Sequence, residues 1–160
     1  MNARDVVLSK EDDGRGHYQR CGAEAGISGL SRIFDMLSED EMRHVDALRA
    51  LQSGARVDLA QSQTLDGAQG ILRRLSVQET ALSSFNGDLS SYGAVMDFEA
   101  ASARLCGQLA REAVQGWERD LFLKIAAEDE MHFTLLEYIC ELLEPVSGGG
   151  PREAGVSDAN

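Results

Sequence analysis

Residues 38–48 read SEDEMRHVDAL and residues 126–138 read AAEDEMHFTLLEY. The tetrad EDEM occurs in both, each time with a histidine close behind, in a chain of only three histidines. Matching the tetrads needs an offset of 89 residues, whereas matching His44 to His132 needs 88. The rest of the chain decides between them. At 88, Glu11 falls on Glu99, Ile33 on Leu121, Phe34 on Phe122, Leu37 on Ile125 and Leu48 on Leu136. At 89, Glu11 would meet Ala100 and Leu37 would meet Ala126. The repeat therefore runs at 88, and the repeated letters mark it one residue out of register.

In that register each half carries an acid, a second acid 30 residues on, and a histidine three residues after that. The sets are Glu11, Glu41, His44 and Glu99, Asp129, His132. Residues i and i+3 share a helix face, so a carboxylate and an imidazole so spaced can grip one ion. One further acid from each neighbouring antiparallel helix gives four carboxylates and two histidines, a donor set suited to a pair of iron or manganese ions in a bundle core. Phe34 and Leu37 lie on the face of Glu41 and His44, which directs these acids toward an apolar interior where unpaired charge is costly. Glu128, four residues before His132, faces roughly the same way as Asp129 and is the alternative ligand, whereas Glu130 points away.

Helical periodicity covers four long segments: about 4–25, 29–51, 89–114 and 118–144. Gly14 and Gly16 inside the first weaken it by up to ~1 kcal/mol each, so close packing is the expected reason for them. A connection of about 35 residues joins the second segment to the third, and its amphipathic stretch AQGILRRL is expected to be helical. Two helical hairpins joined by a long crossover predict an all-α chain with the connectivity of a ferritin-like four-helix bundle over residues 1–145. The tail 146–160, small and polar, is expected to be flexible.

The net charge is −12, with 43% apolar and 26% charged residues. This excludes wholesale disorder and argues against nucleic acid or an anionic membrane surface as partner. No apolar run approaches the ~20 residues of a membrane span, and residues 1–20 hold no secretory h-region. Cys21, Cys106 and Cys140 form neither a disulfide framework nor a C-x-x-C pair, so a reducing cytoplasm is the expected location.

The strings EDDGRGHY (11–18), LSEDEMRH (37–44), FEAAS (98–102) and IAAEDEMH (125–132) together resemble the rubrerythrin-type diiron domain of the ferritin-like superfamily, over about residues 5–144. The resemblance implies two iron ions, replaceable by zinc or manganese, with Glu41 and a carboxylate from the fourth long helix as bridges. His44 and His132 would each ligate one ion, and Glu11 and Glu99 would complete the ends. It also implies reduction of peroxide or dioxygen. Tyr18 would then donate a hydrogen bond to a ligating carboxylate, or else be an ordinary core tyrosine. Cys106, its repeat partner, is either a small buried hydrophobe or a thiol near enough to be oxidised. His17 is expected at the surface.

Three departures stand out. Asp129 replaces the family's glutamate, Ser102 stands where a further glutamate is usual, and the sequence holds neither of the two C-x-x-C pairs a rubredoxin domain needs, so electrons are expected to come from a separate donor protein. A metal-binding or iron-handling module without sustained turnover is the rival reading, and a metal-free helical scaffold is the third. The long crossover also allows a homodimer with exchanged hairpins.

Overall fold

Asn2 and Asp5 open the first helix by capping each other, the Asn2 side chain accepting from Asp5 N–H and the Asp5 carboxylate accepting from Asn2 N–H. This satisfies two donors that a helix start would otherwise leave unpaired. The computed structural model describes residues 2–146, and the expected tail lies outside the described residues from 147 onward. The described chain is all-α. Its helices are α1 (Ala3–Glu24), α2 (Ser28–Gln52), α3 (Thr64–Ser76), α4 (Glu79–Leu82), α5 (Leu89–Glu112) and α6 (Gly116–Leu143). The four long segments fall where the apolar period placed them, and AQGILRRL lies within α3. No helix among the described residues is long and apolar enough to cross a membrane.

Short turns force α1 back along α2 and α5 back along α6, and these two hairpins carry the most extensive helix packing. α1 also faces α5, while α3 lies on α2. Gly26 makes the first turn possible: its φ is +79°, and an added Cβ would lie 2.6 Å from the Ser84 carbonyl oxygen. The loop before α5 is tied to the same turn by Asn86 N–H donating to the Ala25 carbonyl at 2.8 Å.

The core consists of two apolar clusters. One gathers Tyr18, Leu30, Ile33, Phe34, Leu37, Tyr92, Val95, Leu136 and Ile139 with parts of α3. The other gathers Val7, Leu48, Leu51, Ala103, Cys106, Leu121, Phe122 and Ile125. Each fully buried Leu, Ile or Phe contributes roughly 1.5–3 kcal/mol relative to an exposed one. On every long helix a polar position separates the clusters: Glu11 between Val7 and Tyr18, Glu41 and His44 between Leu37 and Leu48, Glu99 between Val95 and Ala103, Asp129 and His132 between Ile125 and Leu136. A polar layer thus crosses the interior, walled by hydrocarbon on both sides. Gly16 does not fit the packing expectation, because an added Cβ there would meet only Arg20 Nη1 at 3.7 Å. Trp117 packs, partly buried, against the second cluster.

Candidate metal centre

Glu11, Glu41, His44, Glu99, Asp129 and His132 are each no more than 2% exposed. Their donor atoms form two adjoining groups, each within 4.8 Å: Glu11, Glu41, His44 and Asp129, then Glu41, Glu99, Asp129 and His132. Glu41 and Asp129 belong to both. All six donors come from one chain. The imidazole rings lie nearly parallel, 6.1 Å apart and 18° from coplanar. Both turn Nδ1 inward. His44 Nδ1 meets Glu11 Oε1, with Glu41 Oε1 at 3.2 Å and Asp129 Oδ1 at 3.6 Å. His132 Nδ1 has Glu99 Oε2 at 2.8 Å and Glu41 Oε1 at 3.6 Å.

Three carboxylate oxygens at the middle, Glu41 Oε1 and both oxygens of Asp129, are buried and, beyond the ion-pair contacts with the imidazoles just given, have no well-formed hydrogen bond among the described residues. Interiors rarely leave such atoms unsatisfied, and each costs ~1–3 kcal/mol or more if charged. Cations among four carboxylates and two imidazoles would satisfy all three, so the donor set fits the expected metal pair in charge and chemistry.

Protons take up the charge in the metal-free chain. Burial, reinforced by the nearby charges of Glu11 and Glu99, holds the carboxyls of Glu41 and Asp129 well above the usual range. Burial opposes charge on the imidazoles, but carboxylates overcome it: Glu11 pulls His44 well above its usual value, and Glu99 pulls His132 to about 10. Burial would likewise raise Glu11, yet His44 holds it below the ordinary value. Both histidines are thus shifted toward the cationic form, and Glu41 and Asp129 toward the protonated one.

A second layer orients the rings, and it is crossed between the halves. His132 Nε2 faces Asp40 Oδ2 at 2.9 Å, and His44 Nε2 faces Glu128 Oε1 at 2.8 Å. Asp40 stands four residues before His44 and Glu128 four before His132, so each acid serves the histidine of the other helix. Asp129 points into the centre, whereas Glu128, the alternative ligand, meets His44 Nε2 and forms a third group of donors within 4.8 Å with Asp40 and His132. Sequence reading missed Asp40, although it is the repeat partner of Glu128 at the offset of 88. Burial raises Asp40, but its bond to His132 brings it down to about 2. Glu128 is lowered by His44 and Arg43 against its own burial. Such outer acids fix which ring nitrogen carries hydrogen.

The two ends of the centre differ. Tyr18 donates its phenol hydrogen to Glu99 Oε2 and sets its ring edge-on to His132 at 5.9 Å. It is therefore a donor to one of the inner carboxylates. At the other end Ser102 Oγ donates to Glu11 Oε2 at 2.6 Å. Cys106 is fully buried beside them, its thiol pushed up by burial and then by Glu11, which keeps it protonated and unreactive. Gly14 leaves room for Glu41, because an added Cβ would lie 2.6 Å from Glu41 Oε2. His17 is partly exposed against Phe98, and Glu130 is exposed, both away from the centre.

Compared with known proteins, the chain matches no family model, no curated protein and no solved structure.

Proposed function

We propose that the chain is a rubrerythrin-like diiron oxidoreductase with a ferritin-like four-helix bundle of α1, α2, α5 and α6, reducing peroxide or dioxygen with electrons from a separate donor protein. The observation that carries this reading is the group of buried oxygens of Glu41 and Asp129, without well-formed hydrogen bonds among the described residues, between two inward-facing imidazoles. Two ferrous ions held there would supply the electron pair that an O–O bond needs. Glu11, Glu41, Glu99 and Asp129 would hold the ions with their carboxylates, and His44 and His132 with their imidazoles. The chain's own work is to hold these donors in place before loading, to exclude bulk water with the two apolar clusters, and to release protons as metal enters. Tyr18, hydrogen-bonded to Glu99, steadies that carboxylate.

Anaerobic ferrous loading, followed by peroxide and an optical spectrum, tests the proposal. Two irons per chain with new near-ultraviolet absorption, and repeated peroxide consumption when reductant is supplied, are expected. Well under one tightly held iron per chain would end the reading. Ser102 favours a second reading, an iron-binding module without sustained turnover. It restrains Glu11 by a hydrogen bond where the family has a further movable carboxylate. A single oxidation that then stops, despite added reductant, would decide for that alternative. Assembly as a homodimer, with or without exchanged hairpins, would build the same centre and is read directly by the mass in solution.

A further inference from the structure

Arg43 precedes His44 on the outer side of the centre, and its side chain is 30% exposed. Its Nη1 donates to Asp40 Oδ1 at 2.9 Å and to Glu128 Oε1 at 3.0 Å, while Nη2 donates to Glu128 Oε2 at 3.3 Å and to the Ala60 carbonyl. Asp40 Oδ2, which faces His132 Nε2, also accepts from Thr64 Oγ1 at 2.6 Å and Ser62 Oγ at 2.8 Å. One guanidinium thus spans α2, the crossover and α6, and through two carboxylates it reaches the outer nitrogen of both histidines. A surface ion pair is worth little, but a fork with four acceptors, two of them on one carboxylate, is rigid and directional.

The repeat sharpens this. The position equivalent to Arg43 at the offset of 88 is Met131, so a single arginine serves both halves. We infer that Arg43 is a positioning residue that keeps both imidazoles with Nδ1 turned inward and Nε2–H turned outward, and that Ala60, Ser62 and Thr64 make the crossover a working part of that lock. The inference rests on the metal-centre reading. It further ranks the two histidines. Asp40 has Ser62 and Thr64 besides Arg43, whereas among the described residues Glu128 has Arg43 alone apart from His44. Loss of Arg43 must therefore loosen His44 more than His132.

The test uses the full chain loaded with zinc, which is diamagnetic, and 15N-labelled to observe the imidazole Nε2–H groups. Wild type should show two such protons, both exchanging slowly with water. In Arg43→Gln the His44 proton should exchange at least about tenfold faster and the His132 proton less so, with zinc affinity down about 10–100-fold, as for lost outer partners of metal-bound histidines. Arg43→Lys keeps the charge without the fork and should behave like Arg43→Gln. It also serves should the glutamine variant fail to fold. Glu128→Ala should move only the His44 proton, and Asp40→Ala only that of His132. A loss of general stability would not sort the two protons in this way. Arg43 variants with both protons and zinc affinity at wild-type values would overturn the inference while leaving the metal centre intact. Failure of the wild type to bind zinc, seen before any variant is compared, would remove the metal-centre reading and the inference together.

Discussion

Replacing Gly14 by alanine should separate the fold from the metal centre, since it pushes the two in opposite directions. In a helix interior the change favours the folded chain by up to ~1 kcal/mol, equal to about 2–4 °C for a domain of this size. The new Cβ would stand 2.6 Å from Glu41 Oε2. That oxygen ends a flexible side chain, so the carboxylate would yield rather than the helix. To regain the ~3.5–4.0 Å of an unstrained contact it must retreat by roughly 1 Å. Metal sites tolerate about 0.2 Å, so a carboxylate of the proposed centre is displaced. An affinity loss on the order of 100-fold follows. With metal at ~1,000 times the wild-type dissociation constant, its stabilisation should drop from ~4.1 to ~1.4 kcal/mol. Gly16→Ala is the control: it lies on the same helix with a similar propensity gain, and its added Cβ meets only Arg20 Nη1 at 3.7 Å. Thermal melts of the metal-free and manganese-loaded proteins provide the assay. An unchanged manganese increment in Gly14→Ala, or an increment lost equally in Gly16→Ala, would refute the argument.

Other consequences follow from the same geometry. Loading should expel protons, because Glu41, Asp129, His44 and His132 are all shifted toward their protonated forms in the metal-free chain. Calorimetric titrations in buffers of different ionisation heat should show net proton release on loading, and proton uptake would contradict the direction of these shifts. The metal-free chain should lose stability as pH rises. Above the unfolded values of ~6.5 for histidine and ~4 for carboxyls the native state binds more protons at these groups, so their contribution falls, for His132 until about pH 10. Asp40 acts oppositely, its stabilisation present above ~3.9 and lost as pH falls toward about 2. Urea midpoints at pH 5.5, 7 and 9 should decrease in that order, and an increase would be incompatible. Phe34→Ala should cost ~3–5 kcal/mol. Its ring is fully buried and lies 6.2 Å from the Tyr18 ring and 5.2 Å from that of Tyr92. A loss under 1 kcal/mol by urea melt would show that the first cluster is not packed as described.

The long helices were legible because buried faces impose their period on the sequence, and no proline interrupts the chain before residue 145. The inner donors were legible for a related reason. An acid that faces hydrocarbon leaves apolar neighbours at i±4 and i±7, and here it does so twice at one offset. The outer layer was not legible from local pattern. Asp40 looks like any helical acid beside Glu41, and only its contacts with His132, Ser62 and Thr64 distinguish it. Arg43 was hidden more completely, because its partners on the crossover and α6 are remote in sequence. Ser102 was read as a missing carboxylate, whereas its hydroxyl supports Glu11.

The places where the repeat breaks have a physical logic of their own. Gly14 corresponds to Ser102 and Glu41 to Asp129 at the offset of 88. In the first half a residue without a side chain leaves space, and the longer acid fills it. In the second half a hydroxymethyl group takes the equivalent place, and the acid opposite is one methylene shorter. Ser102 directs its hydroxyl to Glu11 instead, and Glu41 and Asp129 both reach the middle of the polar layer from helices that are not identical. Tyr18 and Cys106 differ similarly. The phenol reaches Glu99 directly, while at the other end the thiol is too short and the Ser102 hydroxyl supplies the hydrogen bond to Glu11. At the two ends the departures from the repeat thus still leave Glu11 and Glu99 each with a hydroxyl donor, which is what a buried charged layer requires. An uncompensated change there would leave a carboxylate without hydrogen bond or counter-ion in a hydrocarbon wall, at a cost large compared with the ~5–15 kcal/mol that holds a domain folded.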